Sequence, residues 1–103
     1  MATSSLPIDE FVEFIQTLEG HVLTTRAGRS RFTVRVVDTG LEFTPLSTGT
    51  ARSHRRAYIQ RVIDQFLRTD SWSTSDYRFT VNASYQLTLI ELYLEHAREF
   101  SRR

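Results

Sequence analysis

Residues 31 to 43 read "RFTVRVVDTGLEF". Phe32, Val34 and Val36 alternate with Arg31, Thr33 and Arg35, Asp38-Thr39-Gly40 is turn chemistry, and Leu41 and Phe43 then alternate with Glu42 and Thr44. A period of two sends successive side chains to opposite faces, so the stretch is a hairpin with one apolar and one polar face. The preceding "HVLTTR", residues 21 to 26, reads as another strand joined through Ala27-Gly28-Arg29-Ser30. Together they make a three-stranded antiparallel meander whose polar face bears Arg31 and Arg35, with Arg29 at the turn.

Helical patterns flank the meander. Ile8, Phe11, Val12, Ile15 and Leu18 recur at helical spacing, with Ser5 as the N-cap, Pro7 in the first turn and Gly20 at the close. After Pro45, a second helix over roughly 51 to 68 carries the stripe Ile59, Val62, Ile63, Phe66 and Leu67, and Arg52, Arg55 and Arg56 continue that angular sector backwards. Residues 69 to 76, "TDSWSTSD", are a polar loop, and "YRFTV", residues 77 to 81, is a candidate fourth strand. Asn82 then caps a third helix, "ASYQLTLIELYLEHAREF", whose apolar residues cover well over half its circumference. A surface helix needs a stripe only about 100° wide, so this one is either clamped between two layers or paired with another chain.

The expectation is an α+β fold in one domain over 1 to 103: an antiparallel sheet of three strands, or four with residues 77 to 81, against three helices in the order α-β-β-β-α-(β)-α. Residues 1 to 5 are expected to be a flexible N-terminus. The 103 residues, 40% hydrophobic and 12% aromatic, suffice for one modest core. No apolar run is long enough for a membrane helix and the N-terminus lacks signal-peptide character, which points to a cytoplasmic protein with no membrane partner. Cysteine is absent, and all thirteen basic residues are arginine, which removes thiol, thiolate-metal and lysine Schiff-base chemistry together.

The net charge of +1 conceals a segregation. Residues 1 to 25 carry four acids and no arginine, whereas residues 26 to 61 carry eight arginines against Asp38 and Glu42. Such a basic block is the electrostatic footprint of a polyanion-facing surface. "STGTARSHRR", residues 47 to 56, concentrates it: Ser47, Thr48 and Thr50 with Arg52, Arg55 and Arg56 at a helix start would offer free N–H groups, a positive dipole end and cationic side chains to a phosphate. The expected nucleic-acid site is therefore Arg29, Arg31, Arg35, Ser47, Thr48, Thr50, Arg52, Arg55 and Arg56, acting on the phosphate backbone of duplex DNA or RNA. The order helix, three strands, helix with a basic second-helix start, "ARSHRR", is similar to the double-stranded-RNA-binding domain over about residues 5 to 68. That resemblance implies duplex recognition by shape. The bulky Ile59, Val62 and Ile63 and a missing Gly-Pro-His strand motif depart from the family's pattern, so the likeness is one of topology.

A second reading makes the broad apolar face of the third helix, with Tyr85, Leu89, Leu92 and Tyr93, a protein-interaction or homodimer interface. Trp72 could stack on a base, but pinning its loop to the core is the favoured role. His21, His54 and His96 lack metal-ligand spacing, so no metal, cofactor or catalytic residue is expected and the balance leans away from an enzyme, with a motif-free RNA-cleaving site held in reserve.

Overall fold

The structure is a computed structural model and describes residues 5 to 101, with side chains through residue 99. The expected flexible N-terminus thus lies, apart from Ser5, outside the described residues. Three helices pack on a four-stranded antiparallel sheet of simple meander order. The elements are α1 (Ile8–Gln16), β1 (Leu23–Thr24), β2 (Arg31–Val37), β3 (Gly40–Pro45), β4 (Arg52–Arg55), α2 (Arg56–Thr69) and α3 (Ala83–Ser101), with a 3-10 turn at Thr74–Tyr77.

The hairpin forms in the register its alternation dictates. Val37 faces Gly40, Arg35 faces Glu42 and Val34 faces Phe43. Phe32 and Val34 of β2 and Leu41 and Phe43 of β3 are buried, so one face of the sheet is the floor of the core. Arg31, Thr33, Arg35, Glu42 and Thr44 fall on the other face. Gly40 closes the turn at φ +147°, and a Cβ there would stand 2.4 Å from the His54 carbonyl oxygen and 2.7 Å from the Arg56 nitrogen. Only glycine lets the next strand approach this closely.

The fourth strand lies before the second helix, not after it. Residues 52 to 55 pair with β3, Leu41 opposite His54 and Gly40 opposite Arg55, and α2 begins only at Arg56. The expected helix over 51 to 68 is thereby shortened, and the likeness to the double-stranded-RNA-binding domain is interrupted at this added strand. Residues 77 to 81 form no strand; they leave the 3-10 turn and pass through further turns into α3. The helix ends also differ from expectation. Pro7, not Ser5, stands at the N-cap of α1, and the Asn82 side chain is turned away from helix capping toward β4.

α3 explains its wide apolar arc by being central. From Asn82 to Ile90, Ser84 alone is not fully buried. Tyr85 lies against the Phe32 and Phe43 rings of the sheet at 4.7 and 5.3 Å, Gln86 donates to the Ile59 carbonyl of α2, and Tyr93 meets Phe11 of α1 edge-on. The helix is clamped within its own chain. Trp72 packs on Phe66 and stacks beneath the Arg26 guanidinium, 4.2 Å from the ring centre, while Arg26 also pairs with Glu91. It pins the loop, the favoured sequence reading.

Candidate polyanion-binding face

The helices cover one side of the sheet, and register places the other side's residues. Thr24 stands opposite Arg31, Arg35 opposite Glu42, Glu42 in turn opposite Ser53, and Gly40 opposite Arg55. Directly paired residues of an antiparallel ladder project to the same face, so Arg31, Arg35 and Arg55 share the helix-free side. All three are exposed. At 3.4 Å per residue, Arg31 and Arg35 are about 13 Å apart along one strand, and Arg55 lies two strands away at about 4.8 Å per strand. Arg29 lies in the β1–β2 turn beside Arg31. A depression of about 550 Å³ there is lined by Arg29, Arg31, Ser47 and their neighbours Thr24, Gly28, Ser30 and Leu46.

Arg35 donates to Glu42 at 3.0 Å, yet its side chain remains 66% exposed. Such a pair is worth about 0–1 kcal/mol and yields readily to a stronger anion. Arg29, Arg31 and Arg55 have no ion pair or side-chain hydrogen bond among the described residues. Glu42 and Glu19 stand beside Arg35, and the exposed Asp38 sits in the β2–β3 turn at the Arg55 end. Glu19 is committed to structure: its Oε2 accepts the Val36 N–H at 2.9 Å, on the stretch of β2 that the two-residue β1 leaves without a neighbour.

Of the rest of the expected site, Ser47 stays beside Arg29 and Arg31, whereas Arg52 and Arg56 leave this face. Arg52 stands opposite Phe43 and so projects toward the helix side, at the exposed edge of the sheet. Arg56 lies beyond β4, at the opening of α2, where it pairs with Asp9 of α1 at 2.5 Å. Thr48 and Thr50 bond to each other, Thr50 N–H to Thr48 Oγ1 and Thr50 Oγ1–H to the Thr48 carbonyl. With Ser47 they lie in the β3–β4 connection, separated from the helix start by the whole of β4. The expected phosphate grip at a helix N-terminus therefore does not assemble; the reason is that residues 52 to 55 spend their backbone groups on β3 instead of opening the helix. Of the residues of the expected interface on the third helix, Tyr85 and Leu89 are 7% and 0% exposed inside the chain, and Leu92 and Tyr93 are half-buried.

The sequence reading missed His54 entirely as a buried group. Its ring is 1% exposed, between Phe43 and Tyr58. Gln86 Nε2 donates to the Ile59 carbonyl at 2.9 Å, which turns Gln86 Oε1 toward His54 Nε2, 2.5 Å away. That assigns the proton to Nε2 and leaves Nδ1 as an acceptor, with the Asn82 amide at 3.5 Å. Burial lowers the His54 pKa below its ordinary 6.5, opposed by the bond to Gln86. Enclosed in this way the imidazole cannot reach a substrate, and its work is to tie β4 to α3. Alternation across β4 was the available signal, since His54 is the residue that faces the core.

Comparison with protein-family models, with curated proteins and with solved structures finds no match for this chain. Among the described residues no three His, Asp or Glu side chains converge as a metal site, and no helix is long and apolar enough to cross a membrane.

Proposed function

We propose that the helix-free face of the sheet binds the phosphate backbone of a nucleic acid through Arg29, Arg31, Arg35 and Arg55. The carrying observation is the co-facial placement of Arg31, Arg35 and Arg55 by strand register, with Arg29 in the turn beside Arg31. Their spacing favours a polymer over a small anion. One phosphate cannot touch guanidinium groups on residues about 13 Å apart, whereas a chain of phosphates can. The face between them is Thr24, Thr33, Val37, Glu42, Thr44 and Ser53, with no aromatic ring on which a base could stack. Contacts are accordingly with the backbone, which positions a protein without reading sequence. Duplex and single strand are separated by the assay.

The test is fluorescence anisotropy with a labelled duplex and a labelled single strand at low salt. The Arg31→Ala/Arg55→Ala variant weakens binding at least about tenfold, roughly 1.4 kcal/mol, while melting within a few degrees of the wild type. Arg52→Ala/Arg56→Ala, built on the residues that leave this face, changes affinity far less. Equal losses in the two variants would refute the assignment to the sheet, and no binding to either nucleic acid would refute the function.

A further inference from the structure

The acidic N-terminal region has its own surface, on the helical side of the molecule. Glu10, Glu13, Phe14 and Thr17 recur at helical spacing along α1 and face Tyr93, His96 and Ala97 of α3 across a depression of about 600 Å³. Its walls are aromatic. Phe14 meets Tyr93 edge-on at 5.7 Å between ring centres, and His96 lies tilted against Phe14 at 4.9 Å. Its rim is anionic: Tyr93 donates to Glu10 at 3.3 Å, and the exposed Glu13 has no ion pair or hydrogen bond among the described residues. The neighbouring Asp9 is engaged by Arg56, so it is Glu10 and Glu13 that set the local charge.

Aromatic faces beside carboxylates suit one chemical class. A cation over an aromatic ring gains from the ring quadrupole, and a planar guanidinium can also stack on the ring while its N–H fork meets a carboxylate. An anionic ligand would meet two glutamates, and a purely apolar one would have to desolvate them without pairing. The stripe from Glu10 to the C-cap Thr17 spans eight residues, about 10 Å along the helix axis, the reach of one or two long side chains rather than of a docked helix. We infer that the α1–α3 groove is a binding site for an arginine side chain of a basic partner peptide, with the guanidinium between Glu13 and the Phe14 and Tyr93 rings. The site is independent of the sheet face and carries the opposite charge.

The experiment is a two-dimensional amide NMR titration of the full chain with the blocked dipeptide N-acetyl-Arg-Arg-amide, with the Gln-Gln dipeptide as control. Expected are saturable shifts centred on residues 10 to 17 and 93 to 97, a dissociation constant on the order of 1 mM, no response to the control, and about a threefold to fivefold loss of affinity in Glu13→Gln. Glu13 is exposed, so this variant keeps the fold, and its unperturbed spectrum elsewhere verifies that. Absence of saturable shifts in the groove, or shifts unchanged in Glu13→Gln, would overturn the inference. So would concentration-dependent self-association that shifts the same residues before any peptide is added, because the arginine would then come from a second copy of the chain.

Discussion

His54 and Gly40 are the two residues on which the β4 junction turns. The folded state holds His54 neutral, whereas in the unfolded chain it titrates near its ordinary value of 6.5. Above that pH both states are unprotonated and nothing is lost. Below it the unfolded chain takes up a proton that the folded chain resists, so stability falls as the pH drops from 6.5 toward the lowered folded value. Urea unfolding at about pH 7.5, 6.5 and 5.5 is expected to show this decline, and His54→Leu is expected to flatten it. The same variant strands Gln86 Oε1 in the core and costs about 1–3 kcal/mol at pH 7.5. An undiminished slope in His54→Leu would show that another group is responsible. At Gly40, alanine brings a Cβ against the backbone of His54 and Arg56 at a positive φ, which costs about 2 kcal/mol or more in thermal or urea melts.

Among the elements, ion pairs that hold the fold differ from those that decorate it. Arg56 and Asp9 are 55% and 86% exposed, so Asp9→Ala is expected to cost no more than about 1 kcal/mol in urea unfolding. Glu19 matters differently, because it occupies a backbone donor on a strand edge. In Glu19→Ala the Val36 amide is expected to exchange with solvent faster, while amides in the middle of α3 keep their protection. The same scale shows what could be read from the chain. Alternation in residues 31 to 43 exposed the hairpin, since each inward position is apolar and the outward ones are polar up to Val37 and Gly40 beside the turn. β4 hid because only one of its four residues, His54, is buried, and imidazole does not register as apolar. The arginines around it also fell in phase with the α2 stripe, so a helical period continued by accident across a strand. The breadth of the α3 apolar arc was legible; its cause was not, because clamping by one's own chain and pairing with another leave the same pattern.

For the molecule as a whole, the net charge of +1 is divided between surfaces: arginines on the helix-free sheet face and carboxylates along the α1–α3 groove. The sequence exposed the basic block, but it could not separate arginines that face one way from those that do not. That separation needed the strand register, which moved Arg52 to the helix side and gave Arg56 to Asp9. Four arginines on one face imply up to four released counterions. The most direct measurement is the slope of the logarithm of the duplex binding constant against the logarithm of salt concentration. For DNA the expected slope is about −3 to −4 in the wild type, less steep by about one in Arg55→Ala and unchanged in Arg52→Ala. A slope near zero, or one that Arg55→Ala leaves untouched, would contradict the proposed binding.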